Sequence, residues 1–257
     1  MQGIRYPYFT PQRILKREML ESLRDYPRDV MEVFTEDLSD GIVCGLVPTV
    51  DREILTFSKG IVKHKGSLYV IHEPSVLSYG ETETEVLIKL SFYDEIRDKD
   101  YETQFMEIEI DKNLSIRRNQ LELGRFKLKK GAYLRQNYQD LYDFTTEYNT
   151  INVVNVLYAG CREATISIEI LRYFAREALE VRPQNPMDLS FCLLCLNSKL
   201  VERQVIRNYI GYRLEEEFQE LSNTQIHDKL VTILAKIKRE SPGFKRRRPQ
   251  AGLIRLD

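Results

Sequence analysis

The residues best suited to acid–base or metal chemistry in this chain are three histidines, His64, His72 and His227. Metal sites and catalytic bases place histidine at fixed spacings, such as H-E-x-x-H. None of the three has such a spacing, and the sequence contains no phosphate-binding glycine loop, G-x-G-x-x-G or G-x-S-x-G pattern. We expect His64 to lie in a turn and His227 on the last helix, both as ordinary surface histidines.

Two cysteines, Cys192 and Cys195, form a C-x-x-C pair, which can act as a redox couple in a β-α-β setting. Here the pair lies in the apolar sequence FCLLCLN, and no second pair completes a zinc site. Cys44 and Cys161 also have apolar neighbours, and four cysteines are too few for a disulfide framework at this length. The sequence therefore predicts four buried, reduced thiols and no metal or other cofactor.

Charged residues form three clusters, ETETE at 81–85, DEIRDKDYE at 94–102 and a basic run near the end. The second lacks the central glycine and last glutamate of a calcium loop, so both acidic clusters are predicted to be solvated. The basic run can contact phosphate or dock on an acidic protein surface, and it consists of Lys245, Arg246, Arg247 and Arg248. A formal net charge of -1 for the chain favours protein docking.

The totals indicate a chain that can form a core and stay in solution. It has 257 residues, of which 42% are hydrophobic and 30% charged, enough for one large domain or two small ones. The opening MQGIRYPYF lacks the pattern of a signal peptide, and no run approaches the roughly 18 apolar residues of a membrane span. We expect a soluble, cytoplasmic protein.

The first 40 residues are predicted to be helical. Thr10 can cap a helix and Pro11 suits its first position. The helix is expected to end or kink at Pro27, and a second short helix to cover 29–37. The apolar stripe of the first helix consists of Ile14, Met19, Leu20 and Leu23.

Residues 41–145 are predicted to form an antiparallel β-sandwich or small barrel, because the apolar period changes to two from Gly41 and six to eight short strands follow before residue 135. In QLELGRFKL the apolar positions change from odd, at Leu121 and Leu123, to even, at Phe126. A bulge at Gly124 would reconcile the two, because a bulge adds one residue to a strand.

Residues 146–242 are predicted to be helical. One helix carries a heptad seam, which packs either on other copies or on the chain's own helices; the seam is Leu157, Cys161, Ala164, Ile168, Leu171, Ala175 and Ala178. Asn185-Pro186 begins a long helix to about Leu221, buried all round near 191–196, and a last helix begins at 223 or 224. The fold class is thus α+β: an N-terminal helical segment (1–40), a β-sandwich (41–145), a C-terminal helical bundle (146–242) and a basic tail (243–257).

Two stretches resemble a known family. Phe9-Thr10-Pro11-Gln12 resembles the Pro-Gln motif that opens TssK, the baseplate subunit family of type VI secretion systems, although this chain continues Arg13-Ile14-Leu15 where that family has His-Phe-Gln. GIVCGL with the glycines that follow it, and LELGRFKL at 121–128, resemble strands of phage-tail and baseplate proteins. The resemblance covers about 9–135. It implies a dimeric or trimeric connector of a phage-tail-like contractile apparatus, without catalytic residues, and docking residues at Phe9, Pro11 and Gln12.

Three functional hypotheses follow. The first is a structural adaptor whose partners are further copies and other baseplate or tail proteins, with no small-molecule substrate and no membrane insertion. The second is a nucleic-acid-binding module with an OB-like barrel and the basic tail. Acidic neighbours count against it, because they surround the aromatic residues Phe92, Tyr93, Phe105 and Phe126. The third is an enzyme of unfamiliar type.

Overall fold

The computed structural model describes residues 6–217 and 219–241, and it is an α+β fold with an N-terminal helix, antiparallel strands and C-terminal helices, as predicted. Helix α1 covers Arg17–Thr35. The strands are β1 Gly41–Gly45, β2 Pro48–Asp51, β3 Ile54–Phe57, β4 Gly60–His64, β5 Ser67–Ile71, β6 Ser75–Ser78, β7 Val86–Phe92, β8 Ile96–Arg97, β9 Glu102–Thr103, β10 Met106–Asp111 and β11 Gln120–Phe126. After a 3₁₀ helix, Leu141–Thr145, come α2 Ile168–Glu180, α3 Pro186–Asn197, α4 Arg203–Leu214 and α5 Asn223–Glu240.

The strands form small antiparallel sheets, in the orders β1-β4-β5, β2-β3-β6 and β10-β7-β11, with β8 and β9 as a separate hairpin. Every residue of β7 is buried, including Lys89. The Lys89 ammonium donates to Asp111 Oδ2 and to the Ser115 carbonyl oxygen, each at 2.8 Å, so the buried charge is paired. Whether the sheets make a β-sandwich stays a prediction.

The predicted bulge in β11 is confirmed. Glu122 pairs with Lys89 and Gly124 pairs with Ile88, so Leu123 is the extra residue opposite β7. Gly124 has φ +151, a backbone angle that glycine accepts readily. The inserted residue reconciles the two apolar parities and leaves both Leu123 and Phe126 buried.

The glycines of β1 and β4 allow the two backbones to approach closely. A Cβ on Gly60 would lie 2.6 Å from the Cys44 carbonyl oxygen, which no side chain tolerates. Gly45, with φ +74, faces the Lys59 carbonyl in the same way. The apolar, glycine-marked stretch at 41–71 therefore serves a close strand contact.

Three predicted helix boundaries are wrong. The first helix begins at Arg17 and not at Thr10-Pro11, where the chain forms a turn. The helix does not end at Pro27 and no separate helix covers 29–37, because Pro27 lies on an exposed face where water can bond the carbonyl that its missing N–H leaves without a donor. The predicted long helix to Leu221 is instead α3 and α4, separated by 198–202. Tertiary contacts hold this break, since Thr165 Oγ1 donates to the Val201 carbonyl at 2.7 Å and the buried Arg203 donates to the Leu221 carbonyl at 2.6 Å.

The prediction that one helix carries the whole heptad seam is also wrong, because this part of the chain is helical only from Ile168. Before it, the backbone N–H of Ile42 in β1 donates to the Leu157 carbonyl at 2.9 Å, and Tyr158 exchanges hydrogen bonds with Thr165. These pairings hold 151–167 in a non-helical form despite its helical period. The N–H of Glu169 then donates to the Ser167 side chain, which caps α2.

The remaining helix signals are confirmed. Asn185 caps α3 with Pro186 in its first turn, and Ser222 with Gln225 forms a capping box before α5. The predicted apolar face of α5 is buried along its length, at Ile226, Leu230, Ile233, Leu234 and Ile237. Side chains from the sheets, the 3₁₀ helix and the C-terminal helices form one continuous hydrophobic cluster. The division of the chain into domains at 145/146 stays a prediction.

An ion pair anchors the 3₁₀ helix and gives a pH-dependent prediction. Both guanidinium Nη atoms of Arg135 donate to the Asp143 carboxylate, at 2.5 and 2.6 Å, and Thr146 Oγ1 and the Gln139 N–H add bonds of 2.8 and 2.9 Å. The Arg135 hydrogen bonds are the main reason that the pKa of Asp143 falls to about 2. The carboxylate therefore stabilises the fold above its unfolded pKa, and this contribution is lost as the pH falls toward 2.

We expect Asp143→Asn to lower the free energy of unfolding by about 1–2 kcal/mol at pH 7, a value reduced for solvent screening of the partly exposed Arg135. Urea denaturation of both proteins at pH 7 and near pH 2.5 measures the difference. The gap should shrink at the lower pH. An equal gap at both values would show that the substitution acts through packing and not through charge.

Candidate docking surfaces

Helix α1 exposes its apolar face. Of its residues only Thr35 is buried. Leu20, Leu23, Met31 and Phe34 follow helical spacing along one side, and their exposed fractions run from 39% at Met31 to 80% at Phe34. A surface helix of a globular protein normally turns such a stripe toward a core. Within the described residues, no core covers these four side chains, which are here called the α1 stripe.

The segment before α1 is apolar and exposed as well. Tyr8, Phe9 and Ile14 are exposed, and the ring of Tyr6 packs edge-on against that of Tyr26 on α1, with centroids 5.4 Å apart. The predicted docking residues Phe9, Pro11 and Gln12 all lie at the surface of this segment. Their docking role stays a prediction. The basic run Lys245–Arg248 lies outside the described residues.

A buried lysine fixes the C-terminal end of α1. Lys63 on β4 is 6% exposed, and its ammonium donates to the Thr35 carbonyl at 2.5 Å and to the Glu36 carbonyl at 3.0 Å. A cation at this end also complements the helix dipole. The following turn is held by the N–H of Ser39, which donates to the Gly160 carbonyl at 2.9 Å. Sequence reasoning missed Lys63, because nothing in its neighbours distinguishes it from a surface lysine.

A second apolar surface lies on α3. The prediction that this helix is buried all round is wrong, because only one side, with Phe191, Cys192 and Cys195, faces the core. The other side, here called the α3 face, exposes Met187, Leu189, Leu193, Leu194 and Leu196. A cluster of aliphatic side chains on one exposed helix is typical of a protein-binding surface.

The predicted seam is divided between core and surface. Leu171, Ala175 and Ala178 are fully covered within this chain, where α2 packs on α3 and α5. Ala164 and Ile168 are half-buried, and Leu157 and Cys161 are exposed. The oligomeric role of the seam stays a prediction. Only Leu157 and Cys161, at its N-terminal end, are exposed enough to contact another copy.

The cysteines agree with the sequence only in part. Cys192 and Cys195 are fully buried, and burial raises the pKa of Cys192 to about 12 and that of Cys195 further, which keeps both thiols unreactive. The prediction of burial is wrong for Cys44 and Cys161, which are exposed. Cys44 lies on β1, at the edge of its sheet. All four thiols are unpaired with one another.

The surface prediction is wrong for two of the histidines. His227 is 1% exposed, and its Nε2 lies 2.9 Å from the Leu141 carbonyl oxygen. His64 lies on β4, not in a turn, and its ring stacks on that of Phe92 with centroids 4.2 Å apart. Residues 6–217 and 219–241 contain no group of three histidine, cysteine or carboxylate side chains arranged to hold a metal ion.

Of the four aromatic residues considered for the OB-like hypothesis, Tyr93 and Phe105 are exposed. Phe92 and Phe126 are buried in the core. Tyr93 is exposed, but its hydroxyl donates to Glu107 Oε2 at 2.9 Å, which places a carboxylate beside the ring. A strand face that binds single-stranded nucleic acid combines exposed rings with positive charge. This arrangement therefore gives no support to the OB-like hypothesis.

Comparison with protein-family models gives no match for this chain. Comparison with curated protein sequences gives none either. Two solved structures are among those similar to this chain. One is the crystal structure of TssK, 9% identical, with 91% of this chain and 69% of that chain covered and a TM-score of 0.35. Another is the cryo-electron microscopy structure of the TssK-TssF-TssG baseplate subcomplex, 9% identical, with coverage of 91% and 99% and a TM-score of 0.42.

Within the described residues, no helix has both the length and the apolar character needed to cross a membrane.

Proposed function

We propose that this protein is a structural subunit of the baseplate of a contractile, type VI secretion-like apparatus. It acts in the cytoplasm by docking and self-association and has no catalytic role. The observation that carries the proposal is the exposed stripe of α1. The sequence resemblance at Phe9–Gln12 supports the assignment to a baseplate, since that motif lies in the segment that leads into α1.

The α1 stripe offers enough apolar surface to drive association. Burying one large aliphatic or aromatic side chain contributes about 1.5–3 kcal/mol relative to leaving it exposed. Four such side chains together can outweigh the loss of translational and rotational freedom on binding, which costs several kcal/mol. A helix that presents Leu20 and Phe34 to water in one copy is therefore suited to a contact between molecules.

We propose that the occupant of the α1 stripe is α1 of another copy. Leu20, Leu23 and Phe34 of the α1 stripe fall at a and d positions of successive heptads, the spacing of helices that pack side by side. Pro27 and the half-buried Val30 take the a and d positions between them. A symmetric oligomer presents the same patch on every copy, so one stripe can serve on both sides of the contact. The α3 face is then left for a different baseplate protein.

The N-terminal segment belongs to the same proposed surface. The packing of Tyr6 on Tyr26 holds this segment beside α1. Phe9, Pro11 and Gln12 are exposed there, so Phe9 and Pro11 extend the apolar contact beyond the helix and Gln12 adds a polar group beside it. The proposed partners are further copies, as a dimer or trimer, and other baseplate or tail proteins.

The test is the mass and the thermal stability of Leu20→Asp/Phe34→Asp, measured by light scattering after size exclusion and by thermal unfolding. The wild type is expected to be a dimer or trimer at micromolar concentration and the variant a monomer. Because both side chains are exposed, the thermal midpoint of the variant should stay within a few degrees of that of an unassembled wild-type subunit.

The matched control is Glu18→Lys/Glu32→Lys, which changes charge on the opposite side of the same helix and should leave the oligomer intact. A wild type that is monomeric at tens of micromolar, or an oligomer that survives both aspartates, would remove the basis for self-association through α1.

A further inference from the structure

A cleft lies at the end of β4, β5 and β7. Its wall is aromatic: the Phe92 ring stacks on His64, and the Tyr69 centroid lies 4.6 Å from that of Phe92. Asp94 and Glu95 stand at its rim. The volume of about 380 Å³ accommodates one or two large side chains, in the lower range of protein binding pockets.

His64 carries hydrogen-bonding capacity that the described chain does not use. Its side chain is 6% exposed, and neither ring nitrogen has a hydrogen-bond partner. The nearest carboxylate oxygen, Asp40 Oδ2, is 3.7 Å from Nδ1 and accepts instead from the Lys65 backbone N–H at 2.9 Å. A buried polar group without a partner costs free energy, so a ligand that reaches His64 gains by satisfying it.

The surroundings of the cleft are negatively charged. The exposed stretch 94–102, which includes the β8–β9 hairpin, holds five carboxylates and two cations, a net charge of -3. The Glu95 carboxylate already accepts a hydrogen bond from Arg97 Nε, at 2.9 Å. Lys65 is the cation among the residues that line the cleft, against Asp94 and Glu95. Arg24 and Arg28 of α1 lie close enough to Glu102 to offset part of this charge. The carboxylates that remain favour a cation over phosphate in the cleft.

We propose that the cleft binds the basic segment of this same chain, Lys245–Arg248, so that the acidic β-region and the basic tail form an internal docking pair. One arginine or lysine side chain enters the cleft, and the neighbouring cations lie along the 94–102 hairpin. Four consecutive cations in the tail complement the net charge of the hairpin.

The chemistry of each group matches this occupant. A guanidinium presents five N–H donors and no acceptor, so it can donate to Asp94 and to a neutral imidazole nitrogen. Burial lowers the pKa of His64, which keeps the ring neutral and able to accept. A cation beside the Tyr69 or Tyr93 ring gains further attraction from the aromatic face.

The test uses the full chain with a neutralised tail, Lys245→Gln/Arg246→Gln/Arg247→Gln/Arg248→Gln, which leaves the cleft open. Its binding to a labelled synthetic peptide of residues 243–257 is measured by fluorescence anisotropy at low and high salt. We expect saturable binding that weakens at least tenfold at high salt, and binding to the wild type at least tenfold weaker, because its own tail competes. Equal binding by both proteins would overturn the tail as occupant.

Variants in the neutralised background locate the site. Asp94→Asn/Glu95→Gln should weaken peptide binding at least tenfold, whereas Glu217→Gln/Glu220→Gln, which removes the same charge near the end of α4, should leave it unchanged. His64→Phe keeps the ring stack, so its thermal midpoint should not fall while its affinity does. Affinity that is insensitive to the cleft variants, or no saturable binding, would overturn the proposal. Neither result bears on self-association through α1, which is measured separately.

Discussion

Asp188→Ala is expected to lower the free energy of unfolding by about 3–5 kcal/mol, the usual cost of removing one partner from a buried ion pair. Asp188 on α3 is 1% exposed, and its Oδ1 accepts from the Tyr209 hydroxyl at 2.8 Å. Its second partner is Arg213 on α4, whose Nε lies 3.0 Å from the same oxygen and whose side chain is 6% exposed. The alanine leaves the Arg213 charge buried with Glu240 as its remaining ionic partner, at 2.7 Å.

Urea denaturation of four proteins, the wild type, Asp188→Ala, Arg213→Met and the double variant, separates the lost pair from lost packing. The double variant Asp188→Ala/Arg213→Met should recover part of the stability that Asp188→Ala loses, because it removes the uncompensated charge. A loss below about 1 kcal/mol for Asp188→Ala would contradict the buried pair. A double variant that loses the full sum of both single changes would show that the two residues do not interact.

Leu171→Asp is expected to leave the chain unfolded at 25 °C. Leu171, the fourth residue of α2, is fully buried, and α2 packs on α3 and α5. An ionised carboxylate buried there without a partner costs many kcal/mol. Far-ultraviolet circular dichroism measures the loss. Leu193→Asp on the α3 face makes the same chemical change at an exposed leucine and should keep the native spectrum. A folded, monomeric Leu171→Asp would instead place Leu171 in a contact between subunits.

Local sequence signals gave the parts of the fold that depend on neighbouring residues. The bulge at Gly124 follows from a change of apolar parity within nine residues. The start of α3 follows from the capping residue Asn185. The buried face of α5 follows from the helical spacing of its apolar residues. Each of these features is determined by contacts within one element or with an adjacent strand.

The sequence predicts wrongly the features that depend on distant partners. The period of Leu157, Cys161 and Ala164 is helical, yet Ile42 in β1, more than a hundred residues earlier, bonds the Leu157 carbonyl and the Ala159 N–H. His64 looks like a turn residue, but its ring is covered by Phe92 from β7. The sequence also indicates that α1 is amphipathic. It does not indicate that the α1 stripe is exposed in the folded chain.

Hydrogen–deuterium exchange of the amides in α1, followed by mass spectrometry of the wild type and of Leu20→Asp/Phe34→Asp, tests the central claim most directly. A 19-residue helix without tertiary packing is marginally stable in water, so its amides exchange fast unless another molecule covers it. The account predicts that peptides within 17–35 are protected in the wild type at micromolar concentration and that the variant loses this protection while α2–α5 keep theirs. Fast exchange of α1 in both proteins, with equal rates, would contradict it.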